Sequence, residues 1–430
     1  MLPNIRTSEN IFQIPCLEIK ADDVQEFLPD LQGFHEEFKD CFSRSESRQN
    51  FYKYMVGQFS KLERKSIEPI ALAVKKGKVR AMQNFVSDAY WDETRIKNNF
   101  RSMVQEDLGE EDGVLIFDES SFIKKGKDSA GVAKQYCGSI GKVENCQVGV
   151  FAGYASSMGY SLIDHRLFVP EKWFSEDFAT RRIKCKFPKE LNFKTKPQLA
   201  IEMFLELKNE NKLTFKYIVA DSIYGSSPEF IQGIEKHPEL TYFVSVPSDT
   251  LCWIKKPEME IKKIQYAGKI KTMRVVANKV NNAPKSFKDI GNTLNDFFWY
   301  RRKVSEGTKG PIEYEFYKKR VVLAKKGVPD KEVWLIIRRS LEDNPEYSYF
   351  ISNARLSTRL KTFVWLSGMR WAIEQCFEET KTELGMDHYE VRKFPGWVHH
   401  MLTCILAHFF LWHIKIKLEK KSSGHYFVTD

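Results

Sequence analysis

Two apolar runs of four residues, Val-Leu-Ile-Phe at 114–117 and Tyr-Ile-Val-Ala at 217–220, each stop on an aspartate. Short continuous apolar runs bounded by turn residues read as buried strands. Strand C-termini are where open α/β sheets present functional groups. Asp118 and Asp221 are therefore predicted to end two strands, each held on a rigid element. The plainer alternative is that each aspartate caps the turn or helix that follows it.

Around these runs the patterning changes three times. The segments DDVQEFLPDLQGFHEEFKDCF and RQNFYKYMVGQFSKLER place apolar residues three and four apart, as does the stretch at 78–89, which predicts a helical N-terminal domain over residues 1–105. Residues 113–249 then read as three strands, helix, strand, helix, strand, an α/β unit that opens on a hairpin at Ser157–Met158–Gly159. Between 250 and 345 the helical signal is lost, and TMRVVANKV, FFWYRRKV, EYEFYKKRVVLA and EVWLIIRRS read as strands of a turn-rich insertion. A long helix is expected from about Ser357 to Leu384, closed by Gly385 as C-cap. The predicted division is 1–105, 106–249 with 346–415, 250–345, and a tail at 416–430.

Composition narrows the function classes. A chain of 430 residues that is 42% hydrophobic buries sizeable cores, which excludes wholesale disorder. The formal net charge is +10. Residues 251–345 hold 22 basic and 11 acidic residues, so the rest of the chain nets −1. The basic excess sits in the β insertion, which marks that segment as the main surface for a polyanion. The N-terminal residues show no apolar signal core. The longest apolar stretch, 401–414, is shorter than the roughly 20 residues of a membrane span and reads as a buried helix, with His399, His400, His408 and His413 packed in or beside it. The eight cysteines are scattered without a C-x-x-C pair, which suits reduced thiols in a cytosolic protein. The glycines at 131, 138 and 141 form no P-loop.

The predicted long helix carries the third acid. Arg370 and Glu374 are four residues apart and Glu374 and Lys381 seven, so all three share one stripe, with Ile373, Cys376 and Phe377 on the flanking face. A carboxylate between two cations suits a site that holds a metal and phosphate, the acid for the ion and the cations for phosphate oxygens. An exposed ladder of ion pairs is the plainer reading.

Two strand aspartates followed by a helix glutamate resemble the DDE transposases of the ribonuclease H-like superfamily. The helix is similar to the R-x3-E-x6-K part of the signature of a large bacterial insertion-sequence group. FDESSFIKKGKDSAGVAKQYCGSIGKVENCQVGV looks like the block around the first aspartate, VADSIYG like the second, and LGMDHYEVRKFPGWVHHM like the stretch after the glutamate. Ser367 departs from the signature, which has a tyrosine at that position.

The resemblance implies a fold, a site and a chemistry. The fold is α/β, a ribonuclease H-like catalytic core with a β-rich insertion, preceded by an all-helical N-terminal domain that would recognise the terminal repeats and help the chain dimerise. The catalytic and metal-binding residues are Asp118, Asp221 and Glu374, holding two Mg²⁺ or Mn²⁺ ions about 4 Å apart. The chemistry is cleavage at the terminal inverted repeats of an insertion sequence and joining of the 3′-OH to target DNA. Arg370 and Lys381 would contact phosphates, as would Lys124, Lys125 and Lys127 after the first aspartate, and Arg301 and Arg302 in the insertion. In related transposases a tryptophan of the insertion stacks on a flipped base. Trp299 is the first position for that role and Trp334 the second, against the alternative that both pack in the insertion's own core. The partners are double-stranded DNA and a second copy of the chain, in a prokaryotic cytoplasm beside the nucleoid and without a membrane. A non-catalytic DNA-binding descendant of a transposase and a carboxylate-based glycoside hydrolase are the competing classes.

Overall fold

The computed structural model describes residues 21–266, 269–278, 281–307 and 310–422. It is a mixed α/β protein in two compact units. One holds Tyr217–Met369, and the other the described residues up to Lys216 and from Arg370 onward. The division falls at 216/217 and 369/370, so the strand that precedes Asp221 groups with the basic β-structure.

The larger unit begins with five helices: α1 (Ala21–Glu36), α2 (Ser45–Gln58), α3 (Ile67–Ala73), α4 (Val79–Ser87) and α5 (Glu93–Leu108). Three of them were legible as apolar periodicity. α3 is short, and α5 alternates charged and apolar residues closely enough to blur the stripe. Four strands follow: β1 (Val114–Ile123), β2 (Ala133–Cys137), β3 (Lys142–Ala155) and β4 (Tyr160–Phe168). β3 pairs antiparallel with β1, β2 and β4, and the β3–β4 turn closes where Ser156 N donates to Gly159 O. Next come α6 (Ala179–Lys184) and α7 (Lys196–Glu210). α7 starts on a capping box in which Thr195 and Gln198 satisfy each other's backbone N–H groups.

In the smaller unit, β5 (Tyr217–Ala220), α8 (Ser222–Gly225), α9 (Pro228–Glu235) and β6 (Thr241–Ser245) precede the basic strands. These are β7 (Leu251–Trp253), β8 (Met259–Tyr266), β9 (Lys269–Val276), β10 (Lys285–Ser286), the short helix α10 (Phe287–Asn292), β11 (Tyr300–Gly307), β12 (Gly310–Lys325), β13 (Val328–Arg339) and β14 (Tyr347–Ser352). The strand order is β10-β7-β12-β13-β14-β6-β5, with β11 also on β12, and β8 and β9 form a separate pair. Only β5 and β6 are parallel neighbours. α11 (Leu360–Met369) closes this unit.

Two expectations change here. The long helix predicted over 357–384 is two helices, α11 and α12 (Trp371–Thr382), parted at Arg370, where the units also divide. The apolar pattern runs through the break because α11 is buried throughout Phe363–Met369 and α12 buries Ala372, Ile373, Cys376 and Phe377, so periodicity alone conceals it. Asp118 does not end its strand. β1 continues to Ile123 because Ser120, Ser121 and Phe122 stay in register with Gly149, Val148 and Gln147 of β3.

The last helix, α13 (Phe394–Ser422), is the centre of the larger unit, packed on β4, α4, α2, α12 and α5. The N-terminal helices therefore share a core with the strands and are not a compact unit of their own. By length and composition α13 could cross a membrane over Phe394–Glu419, but 67% of its apolar window is buried among these elements. Three of its histidines are engaged by stacking or hydrogen bonds. His399 stacks on Trp91 with ring centroids 4.0 Å apart, His400 Nδ1 lies 2.8 Å from the Tyr54 hydroxyl, and His413 Nδ1 2.6 Å from Asp107. Among the described residues the cysteines are free and buried.

Candidate active site

Side chains alternate across a strand, so Ile116, Asp118, Ser120 and Phe122 share one face of β1. Their register partners on β3 extend that face with Gly153 and Phe151. α12 lies across it. A Cβ at Gly153 would come 3.3 Å from Ile373 Cδ1, so the glycine lets the helix approach. One turn on, Phe377 meets Phe151 edge to face at 5.1 Å, and a further turn on Lys381 Nζ lies 5.2 Å from the Phe122 ring. Ile373, Phe377 and Lys381, one turn apart in succession, thus fix the helix on the strand that carries Asp118.

That docking sets the polar groups. Asp118 is 8% exposed, and its Oδ1 accepts the N–H of Glu119 at 2.8 Å. Arg370 Nη2 lies 3.6 Å from Asp118 Oδ2 and 3.3 Å from Glu374 Oε1. One nitrogen close to both acids places the two oxygens within about 7 Å of each other. Glu374 itself is exposed. Lys381 is half-buried, and burial lowers its pKa from the ordinary lysine value, against a smaller opposing pull from Asp387. Glu119, on the other face of β1, pairs with Lys196 at 2.7 Å. Glu378 is exposed one turn beyond Glu374.

Asp221 belongs to the smaller unit. It follows β5 directly, and its side chain accepts the Ser222 N–H to cap α8. The capping reading and the functional reading of this residue are thus compatible. Ser367, at the signature tyrosine's position, is on α11 and turns back to donate to Val364 O at 2.7 Å.

The remaining sequence candidates divide by exposure. Lys125 and Lys127 are exposed, whereas Lys124 folds over the Tyr389 ring at 3.3 Å and donates to Tyr389 O at 2.8 Å. Burial brings the Lys124 pKa down to about 7. Arg301 pairs with Glu313, and Arg302 donates to Arg301 O while lying 5.8 Å from the Tyr300 ring. Trp299 is buried under the Arg339 guanidinium, 4.3 Å from its ring, and Trp334 under Lys318 at 4.6 Å. Both tryptophans thus pack in the unit's own core. The exposed aromatics beside them are Phe297, Phe298 and Tyr300.

Sequence reading missed a polar anchor behind α12. Glu379 accepts from the Tyr160 hydroxyl at 2.8 Å and lies 2.7 Å from His408 Nε2, and Gln375 donates to it as well. Burial is the largest influence and tends to raise the Glu379 pKa, but the contacts from His408, Tyr160 and Gln375 together outweigh it and the pKa is lowered. The available signal was His408 itself, a polar residue in an apolar run that must find a partner.

Among the described residues no group of three or more His, Cys, Asp or Glu side chains is gathered closely enough to hold a metal ion. Within the larger unit two carboxylates and one guanidinium meet. An all-oxygen donor pair suits a hard divalent cation.

Comparison with known proteins adds an independent line. A family model described as DDE superfamily endonuclease matches residues 37–311. The probable transposase for insertion sequence element IS701 of Microchaete diplosiphon is 23% identical over 377 residues, 86% of this chain and 84% of that protein. Among solved structures, the NurA nuclease of Sulfolobus solfataricus aligns with a TM-score of 0.29 and 9% identity over 79% of this chain and 94% of its own, too loose a likeness to bear on the site. The matched family span includes Asp118 and Asp221 and stops before Glu374, so the glutamate rests on the docking of α12.

Proposed function

This chain belongs to the DDE superfamily endonucleases, and from that premise we propose that it is the transposase of a prokaryotic insertion sequence, cutting phosphodiester bonds at the terminal inverted repeats and joining the 3′-OH to target DNA. The observation that carries this reading is the convergence of Asp118 and Glu374 on Arg370. The family match and the insertion-sequence relative support the same reading.

In this account Asp118, Asp221 and Glu374 would hold Mg²⁺ or Mn²⁺. Bound there, two such ions supply an activated oxygen nucleophile and stabilise the leaving 3′-oxygen. Asp118 is fixed by its strand and by the Glu119 N–H, so it presents Oδ2 without first having to order. Glu374 is exposed and adjustable, as suits a ligand that must accommodate a substrate. Arg370 balances the two acids in the metal-free protein and is placed to turn to a phosphate oxygen in the complex, where a guanidinium binds in bidentate fashion. Lys381 and the exposed Lys125 and Lys127 add positive charge along the DNA. The ribonuclease H-like arrangement of the core and a dimer on paired ends are parts of this proposal.

The test uses a linear duplex carrying the element's own ends. With Mg²⁺ or Mn²⁺ the purified protein should produce 3′-OH ends at the repeat boundary and joined products with a second duplex. Binding of the ends with no cut in any divalent ion would contradict it and favour a non-catalytic DNA-binding descendant.

A further inference from the structure

Most cations of the main β-sheet in the smaller unit are engaged locally. Arg301 pairs with Glu313, Arg320 with Glu332, and Arg339 with both Glu315 and Asp296, while Arg338 lies over the rings of Tyr314 and Phe350. The β8–β9 hairpin stands apart from that sheet, and on it Lys262 Nζ lies 2.9 Å from Glu260 Oε1. Its strands pair with each other, from Met259–Val276 to Tyr266–Lys269, in a sheet separate from the main one. Lys262, Lys263 and Arg274 on it are all exposed. The register puts Lys263 and Arg274 on one face, with Ile261 between them, and Lys262 and Met273 on the other. Ile261 is 74% exposed and Met273 49%, so neither face is covered by the protein at these positions.

A two-stranded hairpin is marginal by itself, and this one is tied at its base. Ala277 N donates to Glu258 O at 2.9 Å, and Asn282 Nδ2 donates to Ala277 O at 2.8 Å. Trp253 Nε1 donates to Asn282 O at 2.7 Å, and Trp253 sits on β7, which pairs with β12. The ribbon therefore extends from a rigid anchor.

Its dimensions suit one kind of partner. Eight residues per strand give a length of about 26 Å, close to seven or eight base pairs along a duplex. The major groove is about 12 Å wide and admits a two-stranded ribbon. A ribbon entering on edge turns one face to each sugar-phosphate wall, and here both faces carry cations.

Resting on the transposase reading, we infer that β8–β9 is a DNA-gripping ribbon seated in the major groove, with Lys262 on one phosphate wall and Lys263 and Arg274 on the other. The contacts go to phosphates, so this grip is independent of sequence.

The test compares wild type, the Lys262→Ala/Lys263→Ala/Arg274→Ala variant and a control of equal charge loss in the other unit, Lys172→Ala/Lys184→Ala/Lys189→Ala, all exposed. Affinity for a duplex of about 30 base pairs is measured by fluorescence anisotropy between 50 and 200 mM KCl. With about 0.9 ion released per phosphate contact, the ribbon variant should lose about three from the slope of log affinity against log salt, and bind at least tenfold more weakly at about 100 mM salt, while the control changes little. Glucosylated hydroxymethylcytosine, which fills the major groove, should weaken wild-type binding and leave the ribbon variant's nearly unchanged. An unchanged slope in the ribbon variant, with wild type binding duplex normally, overturns the ribbon and leaves the transposase reading standing. Loss of slope equal to the control's, or wild-type indifference to the filled groove, also overturns it. Absence of wild-type duplex binding at low salt overturns both.

Discussion

Arg370, at the junction of α11 and α12, reaches Asp118 in the middle of β1, with Nη2 3.6 Å from Oδ2. The same nitrogen is 3.3 Å from Glu374. A guanidinium there does for the two acids what a divalent cation would do: it offsets their repulsion. Replacing Arg370 with Met keeps the stem and removes the charge. Without metal, Arg370→Met should lower stability by about 1–3 kcal/mol, since Asp118 is largely desolvated. Mn²⁺ should raise the melting temperature of the variant by more than that of wild type. Equal metal-induced shifts would mean that Arg370 and the ion do not share a role.

The approach of α12 to the sheet depends on Gly153, where an added Cβ would lie 3.3 Å from Ile373 Cδ1. Gly153→Val should destabilise the protein by about 1–3 kcal/mol through overpacking and displace Glu374 and Arg370 together. Ile373→Ala in the Gly153→Val background should recover part of the loss, giving a favourable coupling in a double-mutant cycle. Strictly additive melts would show that the two positions do not touch.

Two buried histidines make acid stability testable. Burial is the largest influence on His165 and His400 and lowers each pKa to about 3. The unfolded value is about 6.5. Between these values the unfolded chain binds protons that the folded chain refuses, so stability rises with pH across the window. The contribution is fully present above about 6.5 and is lost progressively as pH falls toward 3. His400→Gln should flatten that dependence in urea titrations at pH 4 and 7. A slope identical to wild type would remove His400 from the account.

The basic loop after Asp118 is not uniform. Lys125 and Lys127 are exposed, whereas Lys124 is engaged with Tyr389. Lys125→Ala/Lys127→Ala should reduce the salt slope of DNA binding by about two, and Lys124→Met should leave it unchanged while altering thermal stability. The reverse pattern would place the phosphate contact on Lys124.

Much of the candidate site is legible in the sequence because chemistry-bearing residues sit at fixed offsets from apolar patterns. The runs before Asp118 and Asp221 appear as strands, and the 370/374/381 stripe faces β1 as helical spacing requires. What stayed hidden depends on pairing at a distance. β1 runs five residues past Asp118 because β3 continues beside it, which no local pattern announces. The helix break at Arg370 is masked by apolar residues on both sides. The aromatic Trp299 appears available in a string of cations and aromatics, yet Arg339, twelve strand positions along β13 and distant in sequence, covers it. The Glu379–His408–Tyr160 anchor joins three segments, and only its histidine stood out beforehand.

The central claim is that Asp118, Asp221 and Glu374 act as one metal-dependent centre, and it is tested most directly by nicking of end-bearing duplex DNA in Mg²⁺ by wild type beside Asp118→Asn, Asp221→Asn and Glu374→Gln. The account predicts that each variant still binds the DNA and that each loses at least about 10²-fold in cleavage rate, a loss of roughly 2.7 kcal/mol or more in transition-state stabilisation. Cleavage at the wild-type rate by any one of the three would contradict it.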